Sequence, residues 1–296
     1  DEPARRRLLA RVVPGRPDLW DATVTPVRWK PERRFVGVLQ GPDGPRALLK
    51  AYSSDFARAS RAAKALGGRE GPRTALRLGR SRGARVVALE WLPGVTLREL
   101  LVGAAGQDAA RAAGAALAQL HAGRASGIEV VTREDQVRAV LCATRTIERL
   151  VPALAPDVRR LAALIADRLP SDAGAALSHG DFSADQVLVD RGRVALLDLD
   201  EAVCAHPAAD LGAFLAALAR DVDRGTLAES VAGAAEAALL EGYAAAARSA
   251  PATTAVRTMT AVALLRLAPE AFRGREPDWP EGIARSVARA RALCAR

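Results

Sequence analysis

The first ninety residues carry apolar runs of strand length, whereas from about residue 93 the apolar positions recur with the period of a helix. RRFVGVLQ (33–40) and RALLKAY (46–52) flank GPDGP (41–45), a Gly/Pro turn that predicts a hairpin, and RVVALEWL (85–92) follows after one short helical segment. Beyond it, TLRELLVG (96–103), QDAARAAGAALAQLHAG (107–123), TREDQVRAVLCATRTIERLV (132–151) and TLAESVAGAAEAALLEGYAAAAR (226–248) predict packed helices. Thr96 with Glu99 and Thr226 with Glu229 have capping-box spacing, in which the hydroxyl satisfies a free first-turn N–H and the glutamate reaches back. Thr132 with Asp135 is a weaker version of the same signature.

One pair of strands interrupts the helical half. QVLVD (186–190) and RVALLDLD (193–200) are joined through RGR (191–193), with Gly192 suited to a tight turn. Asp181, Asp198 and Asp200 then lie at strand ends or in the adjoining loop. The fold class is α+β: a small β-rich N-terminal lobe over residues 1–89, a hinge over 90–95, and a larger helical lobe over 96–296.

Composition narrows the function classes. A chain of 296 residues with half of them apolar buries a sizeable core. Its net charge of +9 invites a nucleic-acid partner, but the arginines are scattered without a basic block, and five Phe, two Tyr and four Trp offer few stacking platforms. A small anionic ligand suits this better, and no nucleic-acid partner is expected. Cys142, Cys204 and Cys294 are odd in number and lack a C-x-x-C pair, which argues against a disulfide framework or structural zinc and fits a cytoplasmic location. DEPARRRLLARVVPGRP has too short an apolar core for a signal peptide, and no apolar run reaches membrane-spanning length. A monomer or homodimer is expected.

The block HGDFSADQVLVD (179–190), VALLDLDEA (194–202) and HPAADLGAF (206–214) resembles the aminoglycoside phosphotransferase family and its relatives, the choline and small-sugar kinases. Their pattern is H-G-D-x-x-x-x-N, then an Asp-bearing strand end, then D-P-x-x-D-L. Lys50 in ALLKAY, LEWLPG (89–94) as hinge and LAQLHA as a helix of the larger lobe extend the likeness over most of the chain. The resemblance implies a protein-kinase-like two-lobed fold and an ATP- and Mg²⁺-dependent phosphotransferase acting on a hydroxyl of a sugar, amino sugar or aminoglycoside-type antibiotic.

Phosphoryl transfer needs an oriented hydroxyl and neutralised triphosphate charge, so few reactive side chains suffice. By the resemblance, Asp181 is the catalytic residue that accepts or orients the hydroxyl proton. Gln186 and Asp198 supply hard oxygens to Mg²⁺, with Asp200, on the same side of an extended backbone, a candidate for a second ion. Lys50 meets the α/β-phosphates, Glu90 and Leu92 offer backbone groups to adenine, His179 has a structural role beneath the loop, and Asp210 braces it. His121 reads as packing, His206 as a helix-start residue and Glu201 as a solvated charge.

Four departures from the family pattern stand out. Gln186 replaces Asn, as in sugar kinases resembling bacterial maltokinases. No G-x-G-x-x-G covers the phosphates; in its place KPERRF offers Lys30, Arg33 and Arg34 either as substitute cations or as a charged strand edge. The helix expected after Lys50 has no glutamate to pair with it, leaving Asp55 and Glu70 as the nearest acids. No D-F-G sits on the acidic hairpin and no A-P-E element closely follows it, which argues against a protein kinase. A lysine without a partner keeps a second reading open, a nucleotide-binding pseudokinase with a scaffold or sensor role. A metallophosphoesterase ranks last, because its sites use several His ligands and the chain has three His in all. For the acceptor, EAFRGREPDWPEGI (270–283) offers either an aromatic and acidic floor for a cationic sugar or a surface loop packing its Trp into the core, and Asp221 and Asp223 are further candidates.

Overall fold

The computed structural model describes residues 2–68, 71–171 and 174–295. Its first element is one that the strand-like reading of this region did not contain: helix α1 (Glu2–Val12), whose Leu9 and Val12 are fully buried. Strands β1 (Thr23–Lys30), β2 (Arg34–Gly41) and β3 (Gly44–Tyr52) follow, with β2 and β3 joined across the predicted GPDGP turn. Helix α2 (Phe56–Leu66), the two-residue strand β4 (Arg73–Thr74), β5 (Arg77–Ser81) and β6 (Val86–Glu90) complete this part of the chain. The main sheet has the order β1-β2-β3-β6-β5, antiparallel throughout. Successive strand residues point to opposite faces. On β3, Leu49 therefore packs with Leu9, Val12, Leu39 and Val86 in a small apolar core under α1, while Lys50 faces the other way.

After β6, residues 91–94 run without regular structure into β7 (Val95–Thr96) and α3 (Leu97–Leu100). The helical lobe then builds from α4 (Gly106–Ala122), α5 (Arg133–Leu150) and α6 (Ala155–Arg168). Strand β8 (Ala176–Ser178), the hairpin β9 (Val187–Asp190) with β10 (Arg193–Leu196), and β11 (Val203–Ala205) lie on it. Helices α7 (Ala208–Asp223), α8 (Glu229–Ala246), α9 (Thr253–Leu267), α10 (Glu270–Arg273) and α11 (Trp279–Ala295) close the fold around the larger core. The architecture is α+β, an antiparallel-sheet lobe on a helical lobe. Among the described residues, no helix is long and apolar enough to cross a membrane.

Two helix starts depart from the sequence expectation. Thr132 with Asp135, read as the weaker cap, forms the complete reciprocal box, and Thr96 accepts from the Glu99 N–H. Thr226 caps nothing: its hydroxyl donates to the Asp221 carbonyl at 3.1 Å, and α8 begins only after Ala228. It finishes the turn after α7, so its spacing to Glu229 is incidental.

Helices α4 and α8 touch backbone to backbone. A Cβ on Gly114 would lie 2.0 Å from the Leu239 carbonyl oxygen, and one on Gly242 would lie 1.9 Å from that of Arg111. Real Cβ atoms do not come so near, so glycine at both places sets the helix separation. The same two helices carry His121 and Tyr243.

Candidate active site

The hairpin that carries the acidic residues turns through Arg191 and Gly192, both at positive φ (49° and 78°), the geometry of a two-residue turn matched to strand twist. At the end of β10 the chain takes Asp198 through a left-handed conformation (φ 53°) and into a 3-10 turn that holds Asp200 and Glu201. Asp198 and Asp200 thereby meet residues of the other lobe.

Lys50, only 3% exposed, donates to Asp198 Oδ1 at 2.7 Å and to both oxygens of Asp200 at 3.1 Å. Arg34 spans the same pair, with Nη1 and Nη2 on Asp198 at 3.2 and 3.0 Å and Nη1 on Asp200 at 2.9 Å. Tyr52 donates its hydroxyl to Asp200 Oδ2 at 2.8 Å. Tyr52 stands two residues after Lys50 on β3, so strand alternation alone puts both on one face, a signal the sequence contained. Burial raises the Tyr52 phenol well above its ordinary value, with the Asp200 charge adding to it, so the hydroxyl stays a donor. Burial pushes the Asp198 carboxyl up, but Lys50 and Arg34 outweigh it and hold the group well below the usual carboxylate range.

The expected lack of a partner for Lys50 is therefore corrected. Its partners are aspartates of the acidic turn, and the helix after it contributes differently: Arg58 of α2 pairs with the Glu201 carboxylate at 2.6 Å and donates to its carbonyl at 3.1 Å. Glu201 is accordingly an ion-paired residue. Asp55 stands at the start of α2 and accepts from the Ser54 hydroxyl, while Glu70 lies outside the described residues. Of the three cations of KPERRF, Arg34 bridges the two carboxylates and Lys30 and Arg33 line the adjoining cleft.

The loop bearing Asp181 is braced from below. Asp210, at 1% exposure, accepts from the N–H groups of His179 (2.7 Å) and Gly180 (2.9 Å) and from His121 Nε2 (3.0 Å). His121 Nδ1 in turn meets the Tyr243 hydroxyl at 2.8 Å. Burial acts to raise the Asp210 carboxyl, yet the His121 hydrogen bond and the charges around it leave it below its ordinary value. His121 is thus a hydrogen-bonded link rather than simple packing, and neither it nor Tyr243 carries a local signal in the sequence. The His179 ring is fully buried and its Nε2 sits 2.7 Å from the Leu197 carbonyl. A carbonyl only accepts, so Nε2 carries the proton and Nδ1 is left to accept from the Asp181 N–H at 3.4 Å. His206 Nδ1 accepts from the Ala208 N–H at the start of α7. Gly180 has φ 82° and a Cβ there would lie 2.0 Å from the Glu201 carbonyl oxygen, so this position admits glycine alone.

Two of the clefts beside this arrangement are lined by both Asp181 and Asp198. The smaller, of about 280 Å³, lies between Lys30, Arg33, Arg34 and Tyr52 on one side and Asp181, Asp198 and Asp200 on the other. The larger, of about 630 Å³, opens toward α5, α7 and α9 and is lined by Asp181, Gln186 and Asp198. Asp181 and Asp198 belong to both. Asp181 keeps surface open to the clefts, but the protein mass around its carboxyl raises its pKa, helped by Asp198 and Glu201 and opposed by His179.

Other expected residues lie elsewhere. Glu90 accepts from Arg73 (3.1 Å) and from the Leu76 N–H (3.3 Å), Leu92 is buried with Leu188 and Ala195, and neither lines the two clefts. In the 270–283 segment, Trp279 packs against the main core with its ring 5.0 Å from that of Phe272. Glu276 pairs with Arg224 and Asp278 with Arg285, so of its acids only Glu270 lines the larger cleft. Asp221 and Asp223 lie within α7; Asp221 does line the larger cleft but pairs there with Arg98, and Asp223 pairs with Arg289.

The donor chemistry fits a nucleoside triphosphate and a hard divalent cation. Lys30, Arg33 and Arg34 line one side of the smaller cleft as counter-charges for phosphates, with Lys50 buried against Asp198 and Asp200 of its acidic side. Asp198 and the Gln186 amide offer two oxygens, in keeping with a cation that takes one or two protein ligands and completes its shell from phosphates and water. Among the described residues, no cluster of three or more His, Cys, Asp or Glu is arranged to hold a metal by itself.

Comparison with known proteins agrees. The macrolide 2'-phosphotransferase MphH of Brachybacterium faecium, as apoenzyme, is similar over 90% of this chain and 91% of its own, at 21% identity and TM-score 0.56. A choline/ethanolamine kinase family protein of Mesorhizobium loti matches over 99% and 94%, at 18% identity and TM-score 0.65. The amicoumacin kinase hAmiN, in complex with AMP-PNP, Ca²⁺ and Ami, matches over 99% and 93%, at 14% identity and TM-score 0.69. No curated protein sequence matches the chain. The model of the phosphotransferase enzyme family matches residues 28–257, and the chain accordingly belongs to that family, as a small-molecule kinase with a hydroxyl acceptor.

Proposed function

We propose that this protein transfers the γ-phosphoryl group of ATP, with Mg²⁺, to a hydroxyl of a sugar-type small molecule. The observation that carries the reading is the meeting of Lys50 and Arg34 with Asp198, beside a carboxylate, Asp181, that lines both clefts. In this reading residues 1–89 hold the nucleotide, 90–95 form the hinge with Glu90 and Leu92 offering backbone groups to the base, and 96–296 hold the acceptor. Asp198 and Gln186 hold the metal, which when bound neutralises charge on the β- and γ-phosphates. Asp200 anchors Lys50, Arg34 and Tyr52 and lies next to the metal ligand.

Lys30 and Arg33, which line the smaller cleft beside Arg34, draw the triphosphate to it, and Lys50 meets the α/β-phosphates. Asp181 orients the acceptor hydroxyl and takes its proton as the new oxygen–phosphorus bond forms and the bond to the β-phosphate oxygen breaks; ADP leaves with the electron pair. The protein mass around the carboxyl raises the Asp181 pKa, which makes its ionised form a stronger base. The divalent cation and nucleotide named with the amicoumacin kinase support this choice of ligands.

The test is ADP release from ATP and Mg²⁺ across sugars, amino sugars, aminoglycosides, macrolides and choline-like alcohols. Release that depends on one acceptor class, with a phosphorylated product, supports the reading. Nucleotide binding without release for any acceptor overturns it.

A further inference from the structure

We propose that the acceptor carries an anionic group, a carboxylate or a phosphate, beside the hydroxyl it presents to Asp181, and that Arg220 and Arg266 recognise that group. The proposal rests on the phosphotransfer reading above and narrows the substrate class of the same cleft.

Most charges around the larger cleft cancel in pairs. Arg34 is held by Asp198 and Asp200, and Arg273 by Glu270. Arg98 contacts both oxygens of Asp221, at 3.0 and 2.7 Å, and reaches Asp185 at 3.4 Å. What remains is of one sign. Among the described residues, Arg28, Lys30, Arg220 and Arg266 line the cleft without a side-chain ion pair or hydrogen bond, and on the acidic side only the Asp181 carboxylate lacks one.

These four cations divide by lobe. Arg28 and Lys30 lie on β1, with the positive residues that face the proposed triphosphate. Arg220 on α7 and Arg266 on α9 belong to the helical lobe, where the acceptor is bound in the proposed reaction. Burial, then neighbouring Arg224, holds the Arg220 guanidinium below its ordinary value, against the longer-range pull of Asp221, Glu270 and Glu276. A positive charge there has neighbours of its own sign and no counter-ion in contact. Arg266 lines the same cleft as Asp181, and its charge acts against the raising of the Asp181 pKa.

An anion in the cleft that both arginines line supplies the missing counter-charge, and guanidinium suits the flat oxygen pair of a carboxylate or the face of a phosphate. A polycationic aminoglycoside or a choline-like ammonium meets like charge instead. The acidic segment 270–283, which the sequence offered to a cationic sugar, does not offset this, because Glu276 and Asp278 are spent on arginines.

Glucose, glucosamine and glucuronate share a ring and differ in charge. Their binding is measured by calorimetry on protein saturated with Mg²⁺ and AMP-PNP, so that an anionic probe cannot use the triphosphate cleft. Glucuronate is expected to bind about tenfold more tightly than glucose, with glucosamine weakest, and Arg220→Gln or Arg266→Gln to narrow that gap by about tenfold without changing AMP-PNP affinity. Glucosamine binding as well as glucuronate, an absence of charge preference, or a preference that survives both substitutions overturns the proposal. A protein that fails to bind AMP-PNP overturns the phosphotransfer reading and this one with it; one that binds AMP-PNP without preferring the anion overturns this one only.

Discussion

Asp181 and Asp198 line the same clefts, yet their surroundings push their protonation in opposite directions. Asp181, open to the clefts but with protein mass and like charges around its carboxyl, rises; Asp198 is held between Lys50 and Arg34 and falls. If Asp181 takes the hydroxyl proton, kcat/KM falls with acid along a limb centred above the ordinary carboxylate value of about 4. Asp181→Asn is expected to lower turnover by about a hundred- to ten-thousand-fold while leaving nucleotide affinity nearly intact, which single-turnover kinetics and a nucleotide titration separate. For Asp198 the linkage concerns stability. Its folded pKa is depressed, so its contribution is full above the unfolded value of about 4 and is lost as pH falls below it. The melting temperature of Asp198→Asn should therefore fall less steeply with acid than that of the parent chain; parallel acid limbs would contradict this.

The loop from His179 to Gln186 owes its position to neighbours more than to itself. Asp210 on α7 holds two of its N–H groups, and His121 and Tyr243 extend that bracing to α4 and α8. Asp210→Ala leaves those buried donors unpaired and should cost about 3–5 kcal/mol by chemical denaturation, whereas Tyr243→Phe removes one hydrogen bond for about 1 kcal/mol. This division explains what the sequence disclosed. The β9–β10 turn was legible because Arg191 and Gly192 impose its geometry locally, and the Thr132 cap because its partner is three residues away. The counter-ions of Lys50 were not, since they lie 148 and 150 residues on and only folding brings them near. A family pattern that expects a helix glutamate beside that lysine pointed to α2, where Arg58 stands with the opposite charge. Helix α1 escaped notice for a related reason: its arginine-rich sequence shows little apolar face, and Leu9 and Val12 gain a core only from strands formed later in the chain.

At the scale of the molecule, the sheet lobe and the helical lobe are joined across the cleft by ion pairs that run from β2 and β3 to the turn after β10. A ligand that binds only the folded chain at about 100 times its Kd adds about 2.7 kcal/mol, so ATP analogue with Mg²⁺ should raise the melting temperature by about 5–10 °C for a chain of this length. EDTA should abolish most of that gain if Asp198 and Gln186 hold a metal. The glycine contact between α4 and α8 reaches into the same chemistry from the far side. Gly114→Ala forces a methyl against a carbonyl that cannot retreat, so the two rods must separate, carrying His121 and Tyr243 apart and loosening the strut beneath Asp181. Such a variant should show a depressed kcat with little change in KM for ATP, although nothing in either cleft has been altered. The spacing of two helices, set by the absence of a single carbon on each, thus serves as the gauge to which the reactive carboxylate is aligned.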